Sequence, residues 1–130
     1  EDILPGDRAL LIARTEPTIA ISLHYNALPD SGDAFNTAGV GAFWYQPQAR
    51  DLATFLNDYL VRDLNRPEYG VFWSNLALTR PTVAPSVLIK LGFMINPQEF
   101  GWIVNPEAQA QLADSLDEGI TAWIHDRGKD

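Results

Sequence analysis

The sequence predicts an α/β fold, a mainly parallel sheet flanked by helices. Three observations predict it. Short β-rich apolar runs alternate along the chain with stretches whose apolar residues recur at helical spacing. The clearest of those helical stretches, Gln48 to Leu64, carries Leu52, Phe55, Leu56, Tyr59, Leu60 and Leu64 on one face. Val87 to Phe93 is apolar except for Lys90, the pattern of a strand covered on both faces near the centre of a sheet.

The elements follow in order. Pro5-Gly6-Asp7 punctuates the start, and Arg8 to Arg14 reads as a short helix with Leu11 and Ile12 among its apolar positions. Pro17 ends it. Thr18 to Leu23 reads as a buried strand that delivers His24 at its end. Leu28 to Ala38, rich in Asp, Gly, Ser, Pro and Asn, is a loop of about eleven residues, near the length at which loops tend to be functional. Val40 to Tyr45 is a second strand. Pro47 suits the first turn of the helix that follows, and Asn65-Arg66-Pro67 stops that helix. Tyr69 to Trp73 and Leu76 to Thr79 are short extended candidates around a turn, and Pro81 and Pro85 bracket a connector. After the central strand, Asn96 is the expected N-cap of a short helix, with Glu99 in the capping-box position. Asn105-Pro106 starts the last helix in the same way, with Leu112, Leu116, Ile120 and Trp123 as its apolar stripe. Strand alternation places Lys90 on one face with Leu88 and Gly92, with Gly92 leaving space beside it, while Ile89 and Leu91 face the other way. His24 and Lys90 both fall at carboxyl ends of strands, where sheets of this class place their sites.

Composition narrows the function. A length of 130 residues with 46% hydrophobic content fits one domain over residues 1–130. The net charge of −8, with scattered basic residues, argues against a nucleic-acid partner; the acid excess is expected to serve solubility. Cysteine is absent, which excludes disulfides and thiolate metal sites. No run approaches the ~20 apolar residues of a membrane span, and Glu1 and Asp2 do not open a signal peptide. There is no P-loop, dinucleotide glycine pattern or Ser-His-Asp arrangement.

The chemistry-bearing candidates are few. Histidine is a common metal ligand, but a catalytic zinc takes about three protein ligands. The only other histidine, His125, lies in the charged C-terminal tail and reads as solvent-exposed. On spacing alone, a single His closing a strand fits a hydrogen-bonded structural residue as well as a ligand. Asp30 and Asp33 in the long loop read as solvated. Phe43, Trp44, Tyr45, Trp73 and Trp102 read as core aromatics, with sugar stacking as the alternative.

Several segments together resemble the zinc-dependent N-acetylmuramoyl-L-alanine amidases, the cell-wall hydrolases. Ser22-Leu23-His24-Tyr25-Asn26-Ala27 is similar to the family's Ser-x-His-x-Asn-Ala. Gly39 to Tyr45 is similar to its following strand, and Tyr69-Gly70-Val71 falls where the family has a Gly beside a strand. Pro85 to Glu99 resembles its closing Pro-x-x-Leu-x-Glu-x-Gly-Phe-x-x-Asn-x-x-Glu, and Arg8 falls where the family has an Arg in the preceding helix. The resemblance implies that His24 is a zinc ligand, that Asn26 orients the site or substrate, and that Lys90 occupies the position of the catalytic Glu. It implies peptidoglycan as partner and a periplasmic or cell-envelope location. The family's early His and its Glu ligand have no counterpart here. The expectation is therefore a domain truncated relative to the family's, without its N-terminal metal-ligand segment, and prone to associate through an exposed sheet edge.

Lys90 changes the implied chemistry. In the family the metal lowers the pKa of a bound water, and the Glu moves its proton to the leaving amine. A protonated Lys has no acceptor and repels a divalent cation. The expectation is an amidase-type cell-wall hydrolase whose chain alone is inactive or nearly so, with zinc absent or weakly bound. The alternative is a non-catalytic amidase-like module that binds peptidoglycan or a protein partner.

Overall fold

The computed structural model describes residues 2–127. Its elements are α1 (Pro5–Thr15), β1 (Ala20–Asn26), β2 (Val40–Trp44), a 3-10 turn (Pro47–Ala49), α2 (Arg50–Asp63), β3 (Glu68–Trp73), β4 (Ser86–Phe93), α3 (Pro97–Ile103) and α4 (Pro106–Arg127). The four strands form one sheet in the order β1-β4-β2-β3. β1 runs parallel to β4, and β2 parallel to β3. The middle pairing, β2 with β4, is antiparallel. The sheet is thus mainly parallel, with one reversal at its centre, and β4 is a central strand as its composition predicts.

The core lies on one face of this sheet. Leu52, Ala53, Leu56 and Leu60 of α2, with Leu112 and Leu116 of α4, pack on Val40, Ala42, Val87, Ile89 and Leu91. Ile120 and Trp123 extend the α4 stripe against the same cluster. Because Ile89 and Leu91 point into this core, Lys90 points to the opposite face. Its cross-strand neighbours share that face: His24 on β1 and Gly41 on β2. α1 has no buried residue and leaves Leu10 and Leu11 exposed, so it lies against the rest without joining the core.

Three local expectations differ from the structure. Leu76 to Thr79 is a turn, not a strand. The Thr79 hydroxyl donates to the Ser74 carbonyl and accepts from the Leu76 N–H, so a side chain takes the place of a ladder partner. His125 is solvent-exposed as expected, but what reads as a charged tail is helical there, α4 continuing to Arg127. At α3, Asn96 is the N-cap, its Oδ1 accepting from the N–H groups of Gln98 and Glu99 at 3.0 and 3.1 Å. Glu99 does not complete a capping box: its carboxylate turns into the interior. Among the described residues no helix is long and apolar enough to cross a membrane.

Candidate active site at the carboxyl ends of β1 and β4

Parallel pairing sets His24 directly opposite Lys90. One residue further on, the register shifts, so that Asn26 pairs with Phe93. Such an irregularity re-aims the side chains beside it. Here the Lys90 Nζ donates to the Asn26 Oδ1 at 3.3 Å. That oxygen also accepts from the Ala27 N–H at 3.0 Å, and Asn26 is only 8% exposed. The three residues singled out by sequence are therefore neighbours at the carboxyl ends of two adjacent parallel strands. The ammonium of Lys90 also lies 4.9 Å from the centroid of the Phe43 ring, a cation–π contact. Phe43 in turn stacks on Phe72 at 5.3 Å, and Phe72 meets Tyr69 at 5.1 Å.

His24 is partly buried, and neither ring nitrogen has a hydrogen-bond partner among the described residues. Its pKa is lowered, first by burial, then by the charge of Arg8, then by that of Lys90. All three effects favour the neutral ring. Arg8 reaches the site from α1. A groove of about 420 Å3 runs between α1 and the β1 edge, and Arg8, Leu11, Ile12, Ile21, Leu23 and His24 are among its walls. On the other side of the same strand Leu23, Tyr25, Leu91 and Leu112 line a second, apolar groove of about 360 Å3.

The donor set does not fit a zinc ion by itself. Among the described residues no three His, Cys, Asp or Glu side chains converge, whereas a zinc site takes about three protein ligands. His24 offers one nitrogen, with two cations close enough to depress its own protonation. No carboxylate of the described residues forms an ion pair with Lys90 or Arg8; Glu99 pairs with Arg66 at 3.3 Å.

The remaining candidates lie elsewhere. Asp30 and Asp33 are exposed in the loop, and Asp33 is engaged by Asn36, whose Nδ2 donates to it at 2.7 Å. Trp44 and Trp102 pack against the core, each under an arginine, Arg50 at 5.7 Å and Arg66 at 4.4 Å. Trp73 departs from a core role. It is 67% exposed because it ends the edge strand β3, and it stacks on Tyr45 at 5.8 Å.

Sequence reasoning gave one structural residue, Glu99, only a local capping role. It is 2% exposed, and its Oε1 accepts from the Gly39 N–H at 2.7 Å and from Arg66 at 3.3 Å. Its Oε2 lies against Gly92, filling the space that the sequence leaves beside that glycine. Asn96 anchors the same loop, its Nδ2 donating to the carbonyls of Phe35 and Thr37. The N-terminus of α3 therefore ties the end of the loop at 27–39 to the end of β4, two residues beyond Lys90. The Asn96-x-x-Glu99 spacing signalled a cap; nothing in it signalled the distant partners Gly39 and Arg66.

Comparison with known proteins gives a consistent picture. The profile of the Amidase_3 family, N-acetylmuramoyl-L-alanine amidase, matches residues 1–122. The germination-specific N-acetylmuramoyl-L-alanine amidase of Bacillus subtilis (strain 168) is 29% identical over 124 residues, covering 93% of this chain and 51% of that protein. The probable cell wall amidase LytH of Staphylococcus epidermidis is 29% identical over 105 residues, covering 80% of this chain and 34% of that protein. The chain thus spans about half the length, or less, of these curated relatives. The catalytic domain of CwlV from Bacillus (Paenibacillus) polymyxa var. colistinus superposes with a TM-score of 0.86 at 19% identity, covering 96% of this chain and 68% of that one. The N-acetylmuramoyl-L-alanine amidase of Clostridium difficile 630 superposes with a TM-score of 0.86 at 25% identity, covering 95% and 66%. With the fold, the strand-end placement of His24 and the match over nearly all its length, this chain belongs to the Amidase_3 family of N-acetylmuramoyl-L-alanine amidases.

Proposed function

We propose that residues 1–130 form a single amidase-like domain of a cell-wall hydrolase acting at the cell envelope, in the periplasm or its equivalent. Its substrate is peptidoglycan, and the bond cleaved is the amide between the muramic-acid lactyl group and the first alanine of the stem peptide. The observation that supports this reading is the convergence of His24, Asn26 and Lys90 at the carboxyl ends of β1 and β4. In this assignment His24 is the metal-ligand position, Asn26 orients the site, and Lys90 stands at the position of the proton-moving carboxylate. Zinc binding by the whole protein needs ligands beyond the described residues. Lys90, protonated and hydrogen-bonded to Asn26, donates and cannot accept a proton. This chain alone is therefore inactive or nearly so.

The test is a matched pair of complete natural chains, with Lys90 and with Lys90→Glu, assayed for muropeptide release at fixed zinc. Loss of a general base costs ~10²–10⁴-fold in rate, so the Glu form is expected to be faster by that order. Equal rates would show that this position does not move the proton.

A second reading is favoured by the Lys90–Asn26 hydrogen bond and the Phe43 ring beneath the ammonium, which settle the Lys without a catalytic partner. It is a non-catalytic module that binds peptidoglycan or a protein. Association between copies belongs to either reading. β1 is an edge strand with Leu23 and Tyr25 48% and 41% exposed and a groove on each side, and such edges recruit further strands. Sedimentation should show dimers or larger species; a monomer at all concentrations would remove this part.

A further inference from the structure

We infer that Glu99 is a positioning residue of the strand-end site: its carboxylate fills a bulge in β4 and so holds the register in which Lys90 meets Asn26. The inference rests on the proposed function only in taking the site at His24, Asn26 and Lys90 as the reactive one.

The strand register shows the bulge. His24 pairs with Lys90, but Asn26, two residues on, pairs with Phe93, three residues on. β4 therefore carries one residue more than β1 over this stretch, and bulges between parallel strands are rare. Gly92 lies within it at φ +144°, a conformation that glycine adopts freely. Strict alternation would set Lys90 and Phe93 on opposite faces of the sheet. A run of contacts puts them on the same one. Lys90 lies over Phe43, Phe43 stacks on Phe72, Phe72 meets Tyr69, and Tyr69 meets Phe93 edge-on at 5.0 Å. The bulge thus turns the buried ring of Phe93 onto the site face. It also accompanies the re-aimed strand end at which Asn26 Oδ1 lies 3.3 Å from the Lys90 Nζ.

Glu99 holds this bulge from α3. A Cβ at Gly92 would overlap Oε2 of Glu99 and come 3.2 Å from its Cδ, so the carboxylate occupies the side-chain space at the bulge. Its other oxygen pins it there: Oε1 accepts from the Gly39 N–H at 2.7 Å and pairs with Arg66 at 3.3 Å. Arg66 is itself held over the Trp102 ring at 4.4 Å, and the Asn96 cap fixes the start of the helix. Two substitutions separate a residue that fills the bulge from one that merely partners Arg66. Glutamine keeps the length of Glu99 and an oxygen for Gly39 but loses the charge. Aspartate keeps the charge but is one methylene too short to reach Gly92.

The experiment is NMR of this chain, unsubstituted and as Glu99→Gln, Glu99→Asp and Glu99→Ala. Cross-strand NOEs between Asn26 and Phe93 read the bulged register, and those between Leu23 and Ile89 read the regular pairing before it. The Asn26 side-chain amide signals read its contact with Lys90. Glu99→Gln is expected to keep all of these signatures. Glu99→Asp and Glu99→Ala are expected to lose most of the Asn26–Phe93 NOE intensity and to shift the Asn26 amide signals, while the Leu23–Ile89 NOEs stay. Should Glu99→Ala fail to fold, Glu99→Asp decides. Retention of the bulged register in Glu99→Asp, or its loss in Glu99→Gln, would overturn the inference. Activity is the second readout. In the complete natural chain carrying Lys90→Glu, adding Glu99→Asp should lower kcat about 10²-fold with KM little changed, the cost of misplacing a reacting group by about 1 Å. Glu99→Gln in its place should keep most of the rate. An unchanged kcat beside an altered register would overturn the positioning role. No muropeptide release from any form would remove the amidase reading alone, and the NOE pattern would still decide the inference.

Discussion

Replacing Gly92 with alanine perturbs the buried end of β4, two residues beyond Lys90. Gly92 has φ +144°, a backbone conformation that disfavours any side chain. A Cβ there would overlap Oε2 of Glu99 and come 3.2 Å from its Cδ and 3.6 Å from Cδ1 of Ile103. The backbone alone costs an L-residue about 1–3 kcal/mol. Driving the Glu99 carboxylate from Arg66 and the Gly39 N–H would strand a buried charge, which costs about 3–5 kcal/mol when a pair is broken outright. Part of the second cost is relieved if Glu99 shifts toward the surface, so the expected loss is about 3–5 kcal/mol, a large share of the 5–15 kcal/mol typical of a folded domain. Urea unfolding followed by tryptophan fluorescence measures it. The same substitution in a Glu99→Ala background removes the collision and should add only the backbone cost of about 1–3 kcal/mol. A loss below about 1 kcal/mol for Gly92→Ala, or equal losses in both backgrounds, would refute the reasoning.

Asn96→Ala removes a helix cap, for about 1 kcal/mol, and frees the Phe35 and Thr37 carbonyls as well. A total near 2–3 kcal/mol is therefore expected, with faster hydrogen exchange confined to residues 27–39; unchanged exchange there would contradict the anchor. For His24, Lys90→Met takes away one of the charges that lower its pKa, so its NMR titration should move upward. The sign for stability follows: a depressed folded pKa makes this group's contribution complete above the ordinary histidine value and lost as pH falls through the folded one. An unmoved or lowered titration in Lys90→Met would separate the two residues.

The periodicity of α2 and the apolar run of β4 were legible because each element buries one face against the same core, and burial writes a period into sequence. His24 and Lys90 were legible as strand-end residues for the same reason. Their adjacency was not, because register between strands distant in sequence depends on which strands pair, and β2 enters antiparallel between two parallel neighbours. Leu76 to Thr79 misled because it buries Leu78 from a turn, closed by the Thr79 hydroxyl, and not from a strand. Glu99 misled because a local cap and a distant buried carboxylate leave the same short spacing. Arg8, on α1, shares a groove with His24, an adjacency that no local pattern encodes.

The central claim is that the described residues give His24 two cationic neighbours and no fellow ligand. Zinc content is its most direct test. The purified chain is loaded with zinc, dialysed against a weak chelator and assayed by atomic emission, alongside His24→Ala. The account predicts zinc well below stoichiometric in both. One equivalent retained by the unsubstituted chain and lost in His24→Ala would contradict it.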